Sequence, residues 1–168
     1  MFNLLNRLRS NGESSPDLEG LSHHVDEVRK LAIYERETGL YAFWYLALRG
    51  DDECNRARRY QSPLTLAIIE GEGGANPWAM EGVLTDWLRL HLRDVGITGY
   101  LGNGRFVAVM TNTDVPGAQT ILSRLQTDVG SVTTALSSLP ADGDNFETLY
   151  AAAQARLVEV REQLADVP

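Results

Sequence analysis

The chain has 168 residues, 43% of them hydrophobic, and its 15 basic and 23 acidic side chains leave a net charge of -8 and a pI near 4.8. That length supports one buried core rather than two, and that charge repels phosphate backbones and anionic membranes, which excludes nucleic acid as a partner. The single cysteine, Cys54, excludes an internal disulfide and has no second thiolate or metal-ligand pattern beside it, so it reads as a partly buried thiol of a cytoplasmic protein.

No apolar run approaches the roughly 20 residues that span a bilayer, and the N-terminus lacks the continuous apolar core of a secretory signal. Residues 1–15 form a tail in which Phe2, Leu4, Leu5 and Leu8 accompany Arg7 and Arg9. That segment has the makings of a short basic amphipathic helix, read as a frayed end or a partner-docking helix in preference to a membrane contact by residues 1–9. After the break at Asn11–Pro16, a helix is expected over 16–34 with Ser15 as N-cap and Pro16 at its first position. Leu18, Leu21, Val25, Val28 and Ala32 are spaced 3, 4, 3, 4, the seam of a two-stranded coiled coil or of a helix lying along a neighbour. Leu18, Leu21, Val25 and Val28 are therefore the candidate residues for a protein partner or a homodimer. His23 and His24 on the same helix point in different directions and read as surface residues.

The globular domain is placed at 35–165. A helix is expected after Gly39 to about Tyr60, with Gly50 leaving its middle uncertain and Arg56, Arg58 and Arg59 suiting a helix C-terminus. Leu64–Ile69 is a short apolar run between Pro63 and the glycines after Glu70, and reads as a buried strand. Trp78–Arg93 follows as a helix. Ile97–Leu101 and Arg105–Met110 are two strands joined through Asn103-Gly104, the dipeptide best suited to a type I′ hairpin turn. A helix over Pro116–Thr127, a strand near Ser131–Leu136 and a last helix carrying Phe146, Leu149, Tyr150, Ala153, Leu157 and Val160 complete the order. From Leu64 onward this is βαββαβ followed by a helix, an α+β fold of the ferredoxin-like kind, for which an antiparallel sheet with helices on one face is expected.

Several strings, in order and at matching distances, resemble a GGDEF (diguanylate cyclase) domain over about Glu35–Arg161. The family's opening D-x-L-T-G-L-x-N-R is echoed by Glu35-Arg36-Glu37-Thr38-Gly39-Leu40-Tyr41-Ala42-Phe43, and its R-A-x-R-Y-x-x-P-L-x-L by Arg56–Leu66. Asp142-Gly143-Asp144, Leu149-Tyr150 and Ala153-Gln154 are similar to its later D-G-D, L-L and A-D stretch, with Arg161 where a lysine is usual. The signature G-G-D/E-E-F corresponds to Gly102-Asn103-Gly104-Arg105-Phe106.

The resemblance implies a bacterial signalling module, and it also implies which residues to inspect. In the family the acidic signature residues hold a metal; Gly104 and Arg105 supply no carboxylate, and Mg²⁺ requires hard oxygen donors. The family's metal D-x-D looks like Glu70-Gly71-Glu72, two carboxylates that could still bind a cation but are more often simply solvated. The nucleotide-holding segment after it is shorter by about half a dozen residues. The inhibitory R-x-x-D falls on Arg93 and Gly96, so half of it is missing. Phosphoryl transfer depends on positioning and on metal neutralisation of phosphate charge. The expectation is a non-catalytic regulatory module, without metal or other cofactor, acting through protein–protein interaction. A nucleotide receptor without turnover (cyclic di-GMP or GTP) is the alternative, and a residual cyclase running on Glu70 and Glu72 is third.

Overall fold

A computed structural model describes residues 32–72, 77–92 and 94–165. The elements are β1 (Tyr41–Ala42), α1 (Phe43–Tyr60), β2 (Leu64–Gly71), α2 (Pro77–His91), β3 (Gly96–Gly102), β4 (Arg105–Thr111), α3 (Val115–Val129), β5 (Val132–Leu139) and α4 (Phe146–Ala165). The strands form one sheet in the order β1-β3-β4-β2-β5. β2 runs antiparallel to both β4 and β5, β3 runs antiparallel to β4, and β1 adds a short parallel pairing to β3 at the edge. The expected βαββαβ core is present. The expected helix at 16–34, with Leu18, Leu21, Val25 and Val28, and the tail at 1–15 lie outside the described residues.

Two expectations change. The sheet is mixed rather than wholly antiparallel, because Tyr41 and Ala42 pair with Gly99 and Tyr100 before α1 begins; two residues carry no strand periodicity to read. The helices also cover both faces rather than one. The crossover helices α2 and α3 bury Leu84, Leu88, Ala118, Leu122 and Leu125 against Ala67, Ile69, Phe106 and Ala108. The flanking helices α1 and α4 bury Leu46, Ala57, Leu149, Ala153 and Leu157 against Leu64, Leu66, Ile68, Val107 and Val109. The continuous apolar run of β2 is what two-sided burial requires, since alternate side chains enter opposite cores.

Helix α1 runs through Gly50 without interruption. A Cβ there would lie 2.3 Å from a ring carbon of Phe146, so the glycine lets α1 and α4 approach. Cys54 is buried at 1% exposure, and burial pushes its thiol up to about 11, which makes it an inert packing residue. Among the described residues no helix is long and apolar enough to cross a membrane.

After β5 the chain returns along the sheet edge, held by Asp142. Its carboxylate accepts from the Ser138 backbone N–H at 2.8 Å and pairs with the Arg156 guanidinium, which also donates to the Leu136 carbonyl at 2.6 Å. Arg156 first, then the Ser138 N–H, hold the Asp142 carboxyl below its ordinary value against the opposing effect of burial.

Gly50→Ala should destabilise the domain by about 1–3 kcal/mol through overpacking against Phe146, reversing the gain of about 1 kcal/mol that the same change brings in an open helix; urea unfolding reads the sign. Because the folded-state pKa of Asp142 is depressed, its contribution is complete above about pH 4 and is lost as pH falls through the folded value. Thermal unfolding between pH 5 and pH 2 should therefore be less pH-dependent in Asp142→Asn than in the parent chain.

Candidate functional site

The hairpin that carries Gly102-Asn103-Gly104-Arg105-Phe106 closes as its sequence predicts. Asn103 and Gly104 have φ of 55° and 69°, the two positive values that a type I′ turn demands, and Gly102 pairs directly with Arg105. A register shift between Tyr100 and Gly102 re-aims the strand just before the turn. The tip is tied down by the Gly71 N–H, which donates to the Gly104 carbonyl at 3.0 Å. Phe106 is fully buried and is a packing residue, with its ring 5.2 Å from that of Tyr100.

The register of β2 then decides what surrounds Glu70. It lies opposite Arg105 on β4 and Thr133 on β5, on the face where Leu64, Leu66 and Ile68 meet α1 and α4. From α4, Arg161 grips the Glu70 carboxylate with both arms of its guanidinium: Nε donates to Oε2 at 2.7 Å and Nη2 to Oε1. Arg105 brings a second positive charge to the same face, close enough to Tyr150 to oppose the upward push that burial gives its hydroxyl. Glu72 accepts from the hydroxyl of Thr133, the cross-strand neighbour of Glu70, at 2.9 Å.

These donors do not fit a divalent cation. Magnesium needs several free oxygen ligands in near-octahedral array, whereas both oxygens of Glu70 are engaged by a guanidinium and its cross-strand neighbour is another. Among the described residues no group of three histidine, cysteine or acidic side chains is placed to hold a metal. Glu70 and Arg105 are brought together by the register, and Glu72, two residues on from Glu70, bonds to Thr133.

Arg93 lies outside the described residues. The position three residues on, Gly96, opens β3 where the backbones run close: a Cβ there would sit 2.0 Å from the Val109 carbonyl oxygen. No side chain, an aspartate included, fits on this backbone at 96.

The turn at Glu35–Leu40 is built by Glu35, whose carboxylate accepts from the Glu37 and Thr38 backbone N–H groups at 3.1 and 2.7 Å and from the Thr38 hydroxyl at 2.8 Å. Burial alone would raise its pKa, but these hydrogen bonds outweigh it and hold the carboxyl below its ordinary value. Beside the turn, the Tyr100 hydroxyl donates to Glu81 Oε2 at 2.5 Å, and burial together with that bond pushes Tyr100 up to about 12. Sequence reasoning noted Arg161 only as a departure from lysine and did not single out Glu81 or Tyr100. The pairs Arg161–Glu70 and Tyr100–Glu81 join residues far apart in the chain, and no local pattern signals either.

The Glu70–Arg161 pair is partly exposed, so a double-mutant cycle over Glu70→Gln and Arg161→Gln should give a coupling of about 1 kcal/mol or less. Urea unfolding of the four proteins measures it.

No family model and no curated protein sequence matches the chain. Solved structures do. The coiled coil and GGDEF domain of DgcB from Caulobacter crescentus, in complex with c-di-GMP, matches with a TM-score of 0.78 at 15% identity, over 87% of this chain and 89% of that one. A sensory box/GGDEF family protein from the same organism matches at 0.67 and 19% identity, over 79% of this chain and 99% of that one. The diguanylate cyclase SiaD from Pseudomonas aeruginosa, in complex with its activator SiaC, matches at 0.69 and 17% identity, over 95% of this chain and 70% of that one. The chain has the fold of the GGDEF domain of diguanylate cyclases.

Proposed function

We propose that this domain is a non-catalytic regulatory module, a diguanylate cyclase-like fold that acts by binding another protein. The observation that carries the reading is the corner at the end of β2, where Glu70 is neutralised by Arg161 from within the chain and faces Arg105 across the ladder. A corner already supplied with fixed positive charge has no vacancy for the cation on which phosphoryl transfer relies. At Gly96, where the resemblance puts an inhibitory aspartate, the 2.0 Å approach to Val109 works against a cyclic di-GMP site of that pattern.

Two features favour a protein partner. Trp44 and Leu48, one turn apart on α1, are 54% and 55% exposed, and Tyr34, stacked on Tyr41, is 43% exposed. Aromatic and aliphatic groups grouped in this way suit a protein interface better than solvent. SiaD shows a chain of this fold in complex with a protein activator. The seam Leu18, Leu21, Val25 and Val28 is the second candidate surface, for a partner or for a homodimer.

Isothermal titration of the whole chain with cyclic di-GMP and then with GTP, each with magnesium, tests the reading. Flat titrations are expected. Saturable binding at micromolar concentration would identify a nucleotide receptor instead, and a metal-dependent product from GTP that disappears in Glu70→Ala would identify a cyclase.

A further inference from the structure

β5 is the outer strand of the sheet, with β2 on one side only. Its backbone groups therefore point alternately towards β2 and outward. The hydrogen bonds fix which residues point outward. The Ser131 carbonyl accepts from the Glu72 N–H at 3.0 Å, whereas the Ser138 N–H donates to Asp142 Oδ2 at 2.8 Å and the Ser138 carbonyl accepts from the Asp142 N–H at 2.9 Å. Odd-numbered residues thus face β2 and even-numbered ones face away. Of the latter, Ser138 is capped by Asp142, and the Leu136 carbonyl by the Arg156 guanidinium at 2.6 Å. The N–H of Leu136 and both the N–H and C=O of Thr134 stay open, bonded by no other described residue.

That open stretch is the floor of a cleft. A cavity of about 780 Å³ runs along Thr134, Ala135 and Leu136, between Leu122 on α3 and Glu159 and Val160 on α4. Three consecutive residues line it, so the cavity meets the edge of the strand and not one of its faces, where only alternate residues would appear. The two charged groups in its wall are Arg156 and Glu159. Arg156 is committed to Asp142, and Glu159 has no ion-pair partner among the described residues, which leaves one uncompensated negative charge in the cleft. Natural sheets blunt their edges against strand addition, and β5 is blunted at Ser138 and at the Leu136 carbonyl but not at Thr134.

We propose that this edge takes up an extended segment of a partner protein as a sixth strand. An added strand lies about 4.8 Å outside β5, and its backbone supplies what the open groups lack: a carbonyl for each of the two N–H donors and an N–H for the Thr134 carbonyl. Its side chains alternate between the two walls. The segment that fits has an apolar residue over Leu122 and, next to it in sequence, a lysine or arginine whose stem lies on Val160 and whose charge meets Glu159. A second copy of this chain does not fit, because its own β5 is recessed between the same two helices. The proposal rests on the protein-binding reading above for the existence of a partner; its test measures the edge alone and contains no nucleotide, so the two fail separately.

The test is residue-resolved amide hydrogen exchange of the whole chain, alone and with the peptide acetyl-Ser-Val-Lys-Val-Ser-amide. Alone, the Thr134 and Leu136 amides should exchange at least about tenfold faster than those of Thr133, Ala135 and Ser137, which face β2. Slow exchange at 134 and 136 without peptide would mean that another part of the chain or a second copy already covers the edge, and would overturn the proposal. With the peptide, saturable binding below about 1 mM is expected, with new protection at Thr134 and Leu136. The same peptide N-methylated at its three central residues, which cannot donate to Thr134, should not bind. Thr134→Pro deletes one donor where proline is tolerated, at an outward N–H of an edge strand, and should weaken binding by about tenfold. Should that variant fail to fold, Glu159→Lys, on an exposed side chain, decides: it should reverse the preference between this peptide and its analogue with glutamate for lysine, with unchanged thermal unfolding. No saturation in that range, equal binding of the N-methylated peptide, or an unmoved preference in Glu159→Lys would each overturn the proposal.

Discussion

The two-sided burial of β2 is the constraint on which the rest of the domain depends. It is paired along its length with β4 and β5, and its side chains enter two separate cores, Leu64, Leu66 and Ile68 under α1 and α4 and Ala67 and Ile69 under α2 and α3. A slip of one residue would exchange the two sets and bring Glu70 into the α2 core. The register therefore cannot drift. The fully buried polar residue of the strand, Thr65, is tolerated because its hydroxyl donates to the Thr113 carbonyl at 2.9 Å. That register makes Arg105 and Thr133 the cross-strand neighbours of Glu70.

The same sheet end carries two electrostatic environments, one per face. On the α4 side, Glu70 is neutralised within the chain by Arg161 and faces a second guanidinium, Arg105. On the α2 side, Glu37, Glu81 and Asp86 gather with one cation, Arg89. The residue between the faces is Gly71, whose N–H holds the hairpin tip while a Cβ at its position would meet Leu84 and Met80 at 2.7 and 2.8 Å. The close fit leaves the end of β2 little freedom to exchange groups between the two environments.

The parts of the fold legible in the sequence were those set by short-range rules. The β2 run, the Asn103-Gly104 turn and the helical spacing of Leu122, Leu125, Leu149 and Ala153 each appear where expected, with α3 and β5 extending two or three residues beyond the sequence-based bounds. Parts that depend on placement in space were not legible. β1 is too short for a period, the second layer of helices follows from how α1 and α4 return to the sheet, and Gly50 reads as a helix breaker until Phe146 is seen against it. At the site, the sequence exposed the missing carboxylates at Gly104 and Arg105. It could not show that Arg161 reaches Glu70 across 91 positions, or that Gly96 has a backbone carbonyl where a side chain would stand.

That contrast bears on how a fold can persist at 15% to 19% identity to its structural neighbours. What β2 asks of its residues is a class, apolar and of suitable volume, and cores accept many members of that class when total volume and pattern are kept. A turn such as Asn103-Gly104 asks for a backbone conformation and is indifferent to reaction chemistry. A metal centre asks for particular oxygens within a few tenths of an ångström, and replacing one carboxylate by a guanidinium reverses the sign of what it attracts. The physical tolerance of the core and the intolerance of the site are thus independent, and a chain can keep the first in full while the charges at one end of a single strand redefine the second.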